Sequence, residues 1–325
     1  MATSAEIHPP SSTRHPRPIY LAGPTAVGKS EIALLLAEQL DGEILSVDSM
    51  QVYRGLDIGT AKPLPADRAR VPHHLIDICG LTESFDAAQF IRHAQKAVSE
   101  IQSRGRVPIF CGGTGLYFKA WLSGLGEAPA ANPSLRAEME AIPFEALLRE
   151  LRERDAVTYE TIDKQNPRRV LRALEVIRLT GKPFSAQRAE WKKEDRGQRA
   201  ENRGQKAEVI FALTRKPEDL HARIDTRVGE MFRRGLADET SELLKYGLEK
   251  NQTAMQAIGY RQVVEHLRGE RSLADTIELV KLRTRQFAKR QLTWFRRHGN
   301  CRWIELAADE PAAASVETLK REAVK

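Results

Sequence analysis

The sequence predicts an α/β fold, in which helices cover both faces of a parallel sheet and a helical domain is inserted into the chain. Short apolar runs alternate with helical patterns in the first part of the sequence, as they do in successive β-α-β units. The first of these runs leads into a glycine-containing turn. From residue 132 to about 206 the strand-like runs stop and charged, helix-forming segments replace them, so we expect the insertion there.

The composition is that of a folded protein with a basic surface. Of the 325 residues 41% are hydrophobic and 29% are charged, and the net charge is +7. These values exclude a fully disordered chain and favour a polyanionic partner. The sequence contains no apolar run of the roughly 18 residues that cross a bilayer, and residues 1–17 carry prolines and charges where a signal peptide is apolar. We therefore expect a cytoplasmic protein without membrane contact.

The core is predicted to begin after a disordered tail at residues 1–17. The short apolar run at 18–22 is typical of a buried parallel strand, and the pattern at 31–40 has helical spacing. In this first part of the core, residues 18–131, we also predict strands at 43–47, 75–78 and 107–111 and an amphipathic helix at 85–103.

The insertion, residues 132–206, contains one well-defined helical pattern. Residues 168–180 carry an apolar stripe and stop before Gly181, a common C-terminal cap. Residues 191–206 are polar and nearly without apolar side chains, so we predict a mobile arm. In the second part of the core, residues 207–310, we predict strands at 208–213 and 302–306, helices over 220–297, and then a C-terminal tail at 311–325.

The strongest motif is the loop at residues 23–30, which matches G-x-x-x-x-G-K-[ST] between a predicted strand and a predicted helix. It makes the predicted fold P-loop NTPase-like. The backbone N–H groups of such a loop bind phosphate oxygens, and a hydroxyl, that of Ser30 or of Thr25, can ligate Mg²⁺. The motif specifies a diphosphate and leaves the reaction open. The residues predicted to bind it are Gly23, Pro24, Thr25, Ala26, Val27, Gly28, Lys29 and Ser30.

Two polar residues follow predicted strands and should reach the ligand crevice, which the carboxyl ends of parallel strands line. Asp48 follows the strand at 43–47. It could hold a metal ion through water or accept a proton from a nucleophile, or it could simply be a turn aspartate. Thr114 lies in Gly-Gly-Thr-Gly after the strand at 107–111, where glycines allow a ligand to approach closely or merely form a turn.

Basic residues form two further candidate sites. Arg223 and Arg227 are four residues apart, so both lie on one face of a helix and could clamp a diphosphate; they could equally pair with Asp225 or Glu230. Residues 280–297 contain seven basic residues and no acidic one. Since three aromatic residues are interleaved with them, this helix is predicted to contact a phosphate backbone, with some of the aromatic rings in the core.

Seven segments of the sequence occur in a distinctive order: GPTAVGKS (23–30), DSMQVYRGLDIGTAKP (48–63), HHLIDI (73–78), GGTGLYFKAW (112–121), NPRRVLRALEV (166–176), AIGYRQ (257–262) and TRQFAKRQLTWFR (284–296). In this order and spacing they resemble the tRNA dimethylallyltransferase (isopentenyl-tRNA transferase) family of bacterial type. The resemblance covers roughly residues 18–306. It implies a kinase-like phosphate-loop core with a helical insertion.

The resemblance also implies a reaction. Enzymes of this family transfer a dimethylallyl group from dimethylallyl diphosphate to N6 of the adenosine 3′-adjacent to the anticodon in tRNA, with Mg²⁺ and with release of diphosphate. It implies that Asp48 orients N6 and removes its proton, that Thr114 hydrogen-bonds near the bridging oxygen, and that Arg227, with Arg223 as a second candidate, stabilises the departing diphosphate. Ser30 is the residue expected to ligate Mg²⁺.

The implied partner is the tRNA anticodon stem-loop, and we expect the protein to act as a monomer. The residues that the resemblance implies in tRNA contact are Asp48, Ser49, Met50, Gln51, Thr114, Arg136, Arg168, Arg169, Val170, Leu171, Arg172, Gln256, Ala257, Ile258, Gly259, Tyr260, Arg261, Lys289, Arg290, Gln291, Leu292, Thr293, Trp294, Phe295 and Arg296.

Two alternative functions share the phosphate loop. A small-molecule kinase of the nucleotide-kinase type would have the same loop, sheet and helical lid, but would leave the basic helix without a role. An RNA-binding NTPase switch would hydrolyse nucleotide in response to RNA and leave the RNA covalently unchanged.

Overall fold

The structure is a computed structural model that describes residues 16–125, 128–187, 208–298 and 300–324. Residues 1–15 of the predicted disordered tail lie outside the described residues, and so does the predicted arm at 191–206. The chain divides into two compact units, residues 1–120 with 208–325 and residues 121–207, so the second unit begins earlier than the insertion expected at 132–206. None of the helices in the described ranges is long and apolar enough to cross a bilayer.

The first unit is built on a six-stranded parallel sheet with the order β3-β2-β4-β1-β5-β6. Because all strands are parallel, the carboxyl ends of β1, β2 and β4 lie along one edge, where the loops that follow them meet. Every residue of β2 is buried, which explains why its sequence lacks the alternation of a half-exposed strand. The strands are β1 (Ile19–Ala22), β2 (Gly42–Val47), β3 (His73–His74), β4 (Val107–Gly112), β5 (Ile210–Thr214) and β6 (Cys301–Glu305).

One predicted strand is wrong, and the predicted C-terminal tail is a helix. Residues 75–78 are not a strand, because Leu75 has φ 65° and Asp77 has φ 58°, in the left-handed region that strands exclude. The Asp77 carboxylate accepts hydrogen bonds from Lys62 and Arg68, which hold the chain in that bend; the paired residues are His73–His74 instead. Ala312–Val324, within the expected tail, is a helix whose Val316 is buried in the main core.

Helices pack on the sheet and surround the carboxyl ends of its strands. Asp86 caps α3 through a capping box with Gln89, so this helix begins after the predicted residue 85. The helices with residues in the first unit are α1 (Lys29–Gln39), α2 (Pro65–Arg70), α3 (Ala87–Ser103), α4 (Gly115–Ser123, which ends in the second unit), α10 (Pro217–Arg233), α11 (Leu236–Lys245), α12 (Tyr260–Leu267), α13 (Leu273–His298) and α14 (Ala312–Val324).

The second unit is helical, with its own apolar core. Met139, Leu151, Val170 and Leu174 are among its fully buried residues. The helix predicted at 168–180 is present as α8, and Gly181 caps it with φ 71°. The helices within this unit are α5 (Pro133–Glu140), α6 (Phe144–Arg154), α7 (Ala156–Thr161), α8 (Pro167–Thr180) and α9 (Phe184–Gln187).

Candidate active site

The phosphate loop lies between β1 and α1, and two of its glycines occupy positions that exclude a side chain. A Cβ on Gly23 would lie 2.7 Å from the backbone oxygen of Leu213 on the neighbouring strand. Gly28 has φ +112° where α1 begins, a conformation that favours glycine. The Lys29 Nζ donates a hydrogen bond to the backbone oxygen of Pro24 at 2.6 Å, so the lysine reaches back along the loop. The N–H groups of the first turn of α1 can donate to an anion bound at this loop.

Two arginines hold the loop from behind through its backbone oxygens. Arg223 on α10 donates from Nε to the oxygen of Ala26 at 3.0 Å. Arg215, directly after β5, donates from Nε to the oxygen of Val27 at 2.9 Å, and its other contacts are Asp219 and the backbone oxygen of Ala307. Sequence reasoning missed Arg215. Its position immediately after a strand was the available signal, the same signal that identified Asp48 and Thr114.

Positive charge accumulates at the mouth of the loop. The pKa of Lys29 is lowered to about 8, chiefly by burial and also by the nearby Arg227 cation, while Cys111 and Asp48 oppose the shift. Burial also lowers the pKa of Arg227, against the favourable charge of Asp48 and together with the repulsion of Arg223. Cations that are desolvated in this way gain by binding an anion, because the anion restores the interactions lost from water.

The contacts of α10 show whether Arg223 and Arg227 are paired with carboxylates. Asp225, a possible partner from the sequence, instead forms an ion pair with Arg285 on α13, with Nε and Oδ1 3.0 Å apart. Within the described ranges neither Arg223 nor Arg227 forms an ion pair with a carboxylate. Both guanidinium groups therefore remain able to bind an anionic ligand.

A cavity of about 580 Å³ opens in front of these groups. Its lining includes residues of the phosphate loop and of α10 and the segment 61–64, among them Lys29, Ser30, Arg223 and Arg227. This volume is in the range of small-molecule sites, and its lining combines cations with the apolar side chains of Ala61, Pro63 and Leu64 and with the carboxylates of Glu31, Asp67 and Glu230. The cavity can therefore hold an anionic headgroup with an apolar substituent.

Asp48 lies at the carboxyl end of β2, as predicted. Its Oδ1 accepts hydrogen bonds from the backbone N–H groups of Met50 at 2.8 Å and Gln51 at 3.3 Å, so it does form a turn. The other carboxylate oxygen, Oδ2, accepts no hydrogen bond from the described part of the chain. The aspartate can therefore keep the turn with one oxygen and act on a ligand with the other.

Thr114 lies beside that turn. Its Oγ1 accepts a hydrogen bond from the backbone N–H of Ser49 at 3.2 Å, and its own N–H donates to the oxygen of Val47 at 3.1 Å. This close approach of the two loops requires glycine at position 112, since a Cβ there would lie 2.1 Å from the Val47 oxygen. The loops after β2 and β4 are thus fixed against each other, which brings Asp48 and Thr114 together.

Gln291 on α13 connects the phosphate loop to the loop after β4. Its Oε1 accepts a hydrogen bond from the backbone N–H of Thr25 at 2.9 Å, and its Nε2 donates to the backbone oxygen of Gly113 at 3.0 Å. From the sequence, Gln291 was expected to contact tRNA. The pattern of α13 predicts contacts for its basic residues, and nothing in the sequence predicts these hydrogen bonds between Gln291 and backbone atoms.

The other residues implied in tRNA contact differ in exposure. Those exposed are Arg168, Arg169, Gln256, Arg261, Lys289, Arg290 and Arg296. Those partly buried are Ser49, Met50, Gln51, Arg136, Leu171, Arg172, Ile258, Leu292, Thr293 and Trp294. Those buried are Val170, Ala257, Gly259, Tyr260, Gln291 and Phe295. Apart from Gly259, which has no side chain, the residues of the last group contribute their side chains to the interior.

Three details of these residues bear on their roles. Phe295 packs edge-on against Phe118 in the core, whereas Phe287 is 37% exposed, so the aromatic residues of the basic helix divide as expected. Tyr260 donates from its hydroxyl to Glu239 at 2.6 Å and accepts from the N–H of Gly59. In the second unit, Arg136 and Arg172 share the buried carboxylate of Glu175.

The adjacent histidines are structural. His74 Nε2 lies 2.6 Å from the Glu43 carboxylate, and His73 Nδ1 lies 2.8 Å from the backbone oxygen of Val71. Across the described ranges, no group of three or more His, Cys, Asp or Glu residues could hold a metal ion.

Comparison with known proteins gives a consistent result. The family model described as IPP transferase matches residues 51–298. The tRNA dimethylallyltransferase 1 of Citrifermentans bemidjiense is 43% identical over 88% of this chain and 91% of its own length. The tRNA dimethylallyltransferase of Halorhodospira halophila is 44% identical over 92% of this chain and 96% of its own.

Solved structures are similar over nearly the whole chain. The full-length tRNA isopentenylpyrophosphate transferase of Bacillus halodurans has a TM-score of 0.68 at 37% identity and covers 95% of this chain and 96% of its own. A eukaryotic dimethylallyltransferase, described as acting on tRNA, has a TM-score of 0.70 at 27% identity and covers 95% of this chain and 77% of its own.

Proposed function

The chain belongs to the IPP transferase family, and from that premise we propose a role for each residue of the site in the tRNA dimethylallyltransferase reaction. In this reaction a dimethylallyl group passes from dimethylallyl diphosphate to N6 of the adenosine 3′-adjacent to the anticodon of tRNA, and diphosphate is released. One C–O bond of the donor breaks, one C–N bond forms, and N6 loses a proton.

The observation that carries the proposal is the desolvated cation pair at the phosphate loop. Lys29 and Arg227 line the cavity, and burial lowers the pKa of each. Negative charge on the leaving diphosphate increases as the allylic C–O bond breaks. Cations already fixed in a partly buried site stabilise that charge more in the transition state than in the donor, which accelerates the step.

Asp48 is the proposed base. Adenine N6 is a weak nucleophile because its lone pair is delocalised into the ring, so it must be oriented and must lose a proton as the bond forms. The Oδ2 of Asp48 is available for both tasks while Oδ1 keeps the turn through Met50 and Gln51. The base reaches this recess when it is flipped out of the anticodon loop.

Thr114 is proposed to donate to the donor's bridging oxygen. Its hydroxyl oxygen accepts from Ser49, which leaves the hydroxyl hydrogen free to rotate towards a ligand. A hydrogen bond to the oxygen that becomes charged on bond cleavage assists departure of the diphosphate.

The proposed metal ion is Mg²⁺, held by Ser30. Its side chain is exposed at the cavity beside Lys29, and a hydroxyl together with diphosphate oxygens is a donor set typical of Mg²⁺, which binds few protein groups. The ion would neutralise charge on the diphosphate.

The proposed partner surface for the anticodon stem-loop includes the exposed side of α13, with Lys289, Arg290 and Arg296. We expect phosphate contacts there and base contact at residues 48–51. Every reacting group proposed belongs to one chain, so a monomer suffices.

The test is the mass of recovered tRNA. Purified protein, tRNA, dimethylallyl diphosphate and Mg²⁺ are incubated without ATP, and the RNA is digested and measured by mass spectrometry. The expected result is one added dimethylallyl group on the adenosine next to the anticodon and an equal amount of diphosphate. Unmodified RNA, or turnover that depends strictly on a nucleoside triphosphate, would support the kinase alternative instead.

A further inference from the structure

The Gln291 side chain occupies a buried position between two loops that the reaction uses. The residue is 7% exposed, and its carboxamide bridges the Thr25 N–H of the phosphate loop and the Gly113 oxygen of the loop that ends in Thr114. The two contacts are 2.9 Å and 3.0 Å long. One side chain thus joins the segment that binds the diphosphate to the segment that carries Thr114.

Only a carboxamide satisfies both contacts in this orientation. The backbone N–H of Thr25 requires an acceptor, and the backbone oxygen of Gly113 requires a donor. A glutamate carboxylate would accept from Thr25 but would repel the Gly113 oxygen, and leucine would leave both backbone groups unpaired in a buried site, which is costly.

Glycine at position 113 matches this side chain. A Cβ built there would lie 2.1 Å from the Gln291 Nε2, too close for any residue but glycine without displacing the amide. Two residues further on, a Cβ on Gly115 would lie 2.2 Å from the Trp294 ring. Both glycines therefore let α13 approach the loop after β4 closely.

Gln291 faces the opposite direction from the cations of its helix. Ala288, Gln291 and Phe295 are buried, at the i, i+3, i+7 spacing of one helical face. Lys289, Arg290 and Arg296 are exposed. The helix thus has an outer face suited to RNA and an inner face, with Gln291, against the site.

From this arrangement we propose that Gln291 is a positioning residue, which holds the phosphate loop and the Thr114 loop at a fixed separation so that donor diphosphate and Thr114 meet in register. The inference rests on the proposed function, and it gives Gln291 a role other than the tRNA contact expected from the sequence.

The experiment compares Gln291→Leu and Gln291→Glu with the wild-type chain. Affinity for inorganic diphosphate with Mg²⁺ is measured by calorimetry without tRNA, affinity for an anticodon stem-loop RNA by filter binding without donor, and kcat and KM for dimethylallyl diphosphate by product assay. For Gln291→Leu we expect diphosphate affinity and kcat to fall about tenfold or more, the scale of losing two buried hydrogen bonds. Stem-loop affinity should stay within about twofold. Gln291→Glu, which keeps the Thr25 contact, should be intermediate.

Lys289→Ala is the matched control, since it changes an exposed cation two residues away on the same helix. It should weaken stem-loop binding and leave diphosphate affinity unchanged. Three outcomes would overturn the proposal: the Gln291 variants weaken RNA binding alone, they change neither affinity, or they lose both affinities in proportion to a fall in melting temperature.

A double-mutant cycle keeps the test informative if Gln291→Leu folds poorly. Gly113→Ala should lower kcat strongly in the wild-type background and much less with Gln291→Ser, which removes the clashing amide. Additive effects would contradict the proposed contact. If the wild-type chain left tRNA unmodified, the proposed function would fail, whereas the diphosphate measurements would still report on Gln291.

Discussion

The Arg223 guanidinium is bonded to the phosphate loop, since its Nε donates to the backbone oxygen of Ala26 at 3.0 Å. Arg227 lies one helical turn further along α10, and Asp48 is the main opposite charge acting on it. We propose that the two arginines, which share a helix face, differ in their main task. Arg223 would chiefly hold the phosphate loop in shape, and Arg227 would chiefly bind the ligand.

We expect replacement of Arg223 and replacement of Arg227 to have different effects on kcat and KM. Arg227→Ala should lower kcat by about 10²-fold, the usual cost of removing one preorganised charge from a transition state. Arg223→Ala should mainly raise the KM for dimethylallyl diphosphate, by about tenfold, because the loop loses a backbone support. Steady-state assays at saturating tRNA measure both. Arg233→Ala, an exposed change on the same helix, is the control, and equal effects of the first two variants on kcat and KM would refute the division of roles.

Asp48→Asn should almost abolish transfer and preserve RNA binding. The asparagine oxygen can still accept from Met50 and Gln51, so the turn survives, but the amide cannot take the N6 proton. A loss of about 10²–10⁴-fold in kcat is expected, the range for removing a general base. Single-turnover assays give the rate and filter binding gives the affinity.

Asp163→Asn provides a matched control for that variant. Asp163 is exposed in the second unit, and its Oδ1 accepts from the Gln165 N–H in a turn of the same kind, at 3.1 Å. This variant should transfer at the wild-type rate. If Asp48→Asn also did so, the base would have to be another group.

Donor affinity should depend on pH through Lys29. Burial lowers the pKa of Lys29 to about 8 in the free protein, and only its protonated form attracts a diphosphate. Affinity for a non-reactive allylic diphosphate should therefore be constant below about pH 8 and fall by up to tenfold per pH unit above it, with proton uptake on binding. Calorimetry in buffers of different ionisation enthalpy measures both quantities. Lys29→Arg, which stays charged, should remove the decline, and a wild-type affinity that is level through about pH 9.5 would contradict this role.

The outer face of α13 should account for part of the salt dependence of RNA binding. Replacing both Lys289 and Arg290 with alanine should weaken stem-loop binding and reduce the slope of log K against log salt by about 1.5, the value for two lost phosphate contacts. Titrations at several salt concentrations give the slope. The exposed lysines Lys96 and Lys245, on α3 and α11, serve as a control pair. An unchanged slope in the α13 variant would place the RNA elsewhere.

Glu43 should stabilise the fold at neutral pH. Burial alone would raise the pKa of its carboxyl, but hydrogen bonds from Arg104, His74 and Arg106 outweigh burial and lower the pKa to about 2. Since the ordinary pKa is 4.5, the stabilisation is complete above about pH 4.5 and is lost as the pH falls towards 2. Glu43→Gln should cost about 3 kcal/mol at pH 7, from 1.36 kcal/mol per pKa unit.

Urea unfolding at pH 7 and near pH 3 tests this assignment. The difference between wild type and Glu43→Gln should shrink at the lower pH, because the wild-type carboxyl then begins to lose its advantage. Glu100→Gln, on the exposed side of α3, should have little effect at either pH. A constant difference across the pH range would mean that packing, and not charge, explains the loss.

The sequence predicted those parts of the fold that local patterns determine. The phosphate loop, α8 and five of the strands follow from apolar runs, helical spacing and glycine positions, because each reflects neighbours along the chain. Asp48 and Thr114 were identified because each follows a strand, and parallel strands bring their ends together. The strand at 75–78 was wrong because Lys62 and Arg68 bend that segment through Asp77, a contact without a periodic pattern.

The missed contributions come from contacts between distant residues. Arg215 binds the Val27 oxygen across 188 positions of the chain, and Gln291 binds the Thr25 N–H across 266. Both contacts are made to backbone atoms. The sequence therefore contains no complementary side chain that would predict them. The choice between Arg223 and Arg227 likewise depended on which guanidinium reaches the loop, and spacing along a helix does not encode that.

The order of the sheet has a consequence for synthesis on the ribosome. The phosphate loop follows β1, near the start of the chain, but β1 pairs on one side with β5 at residues 210–214. The side chains that brace the loop, Arg215, Arg223 and Gln291, are translated later still. Domains generally fold as units as they emerge, so we expect the phosphate loop to reach its folded form only after Arg215, Arg223 and Gln291 have been made. We therefore expect a nascent or truncated product that lacks these side chains to bind a diphosphate more weakly than the full chain does.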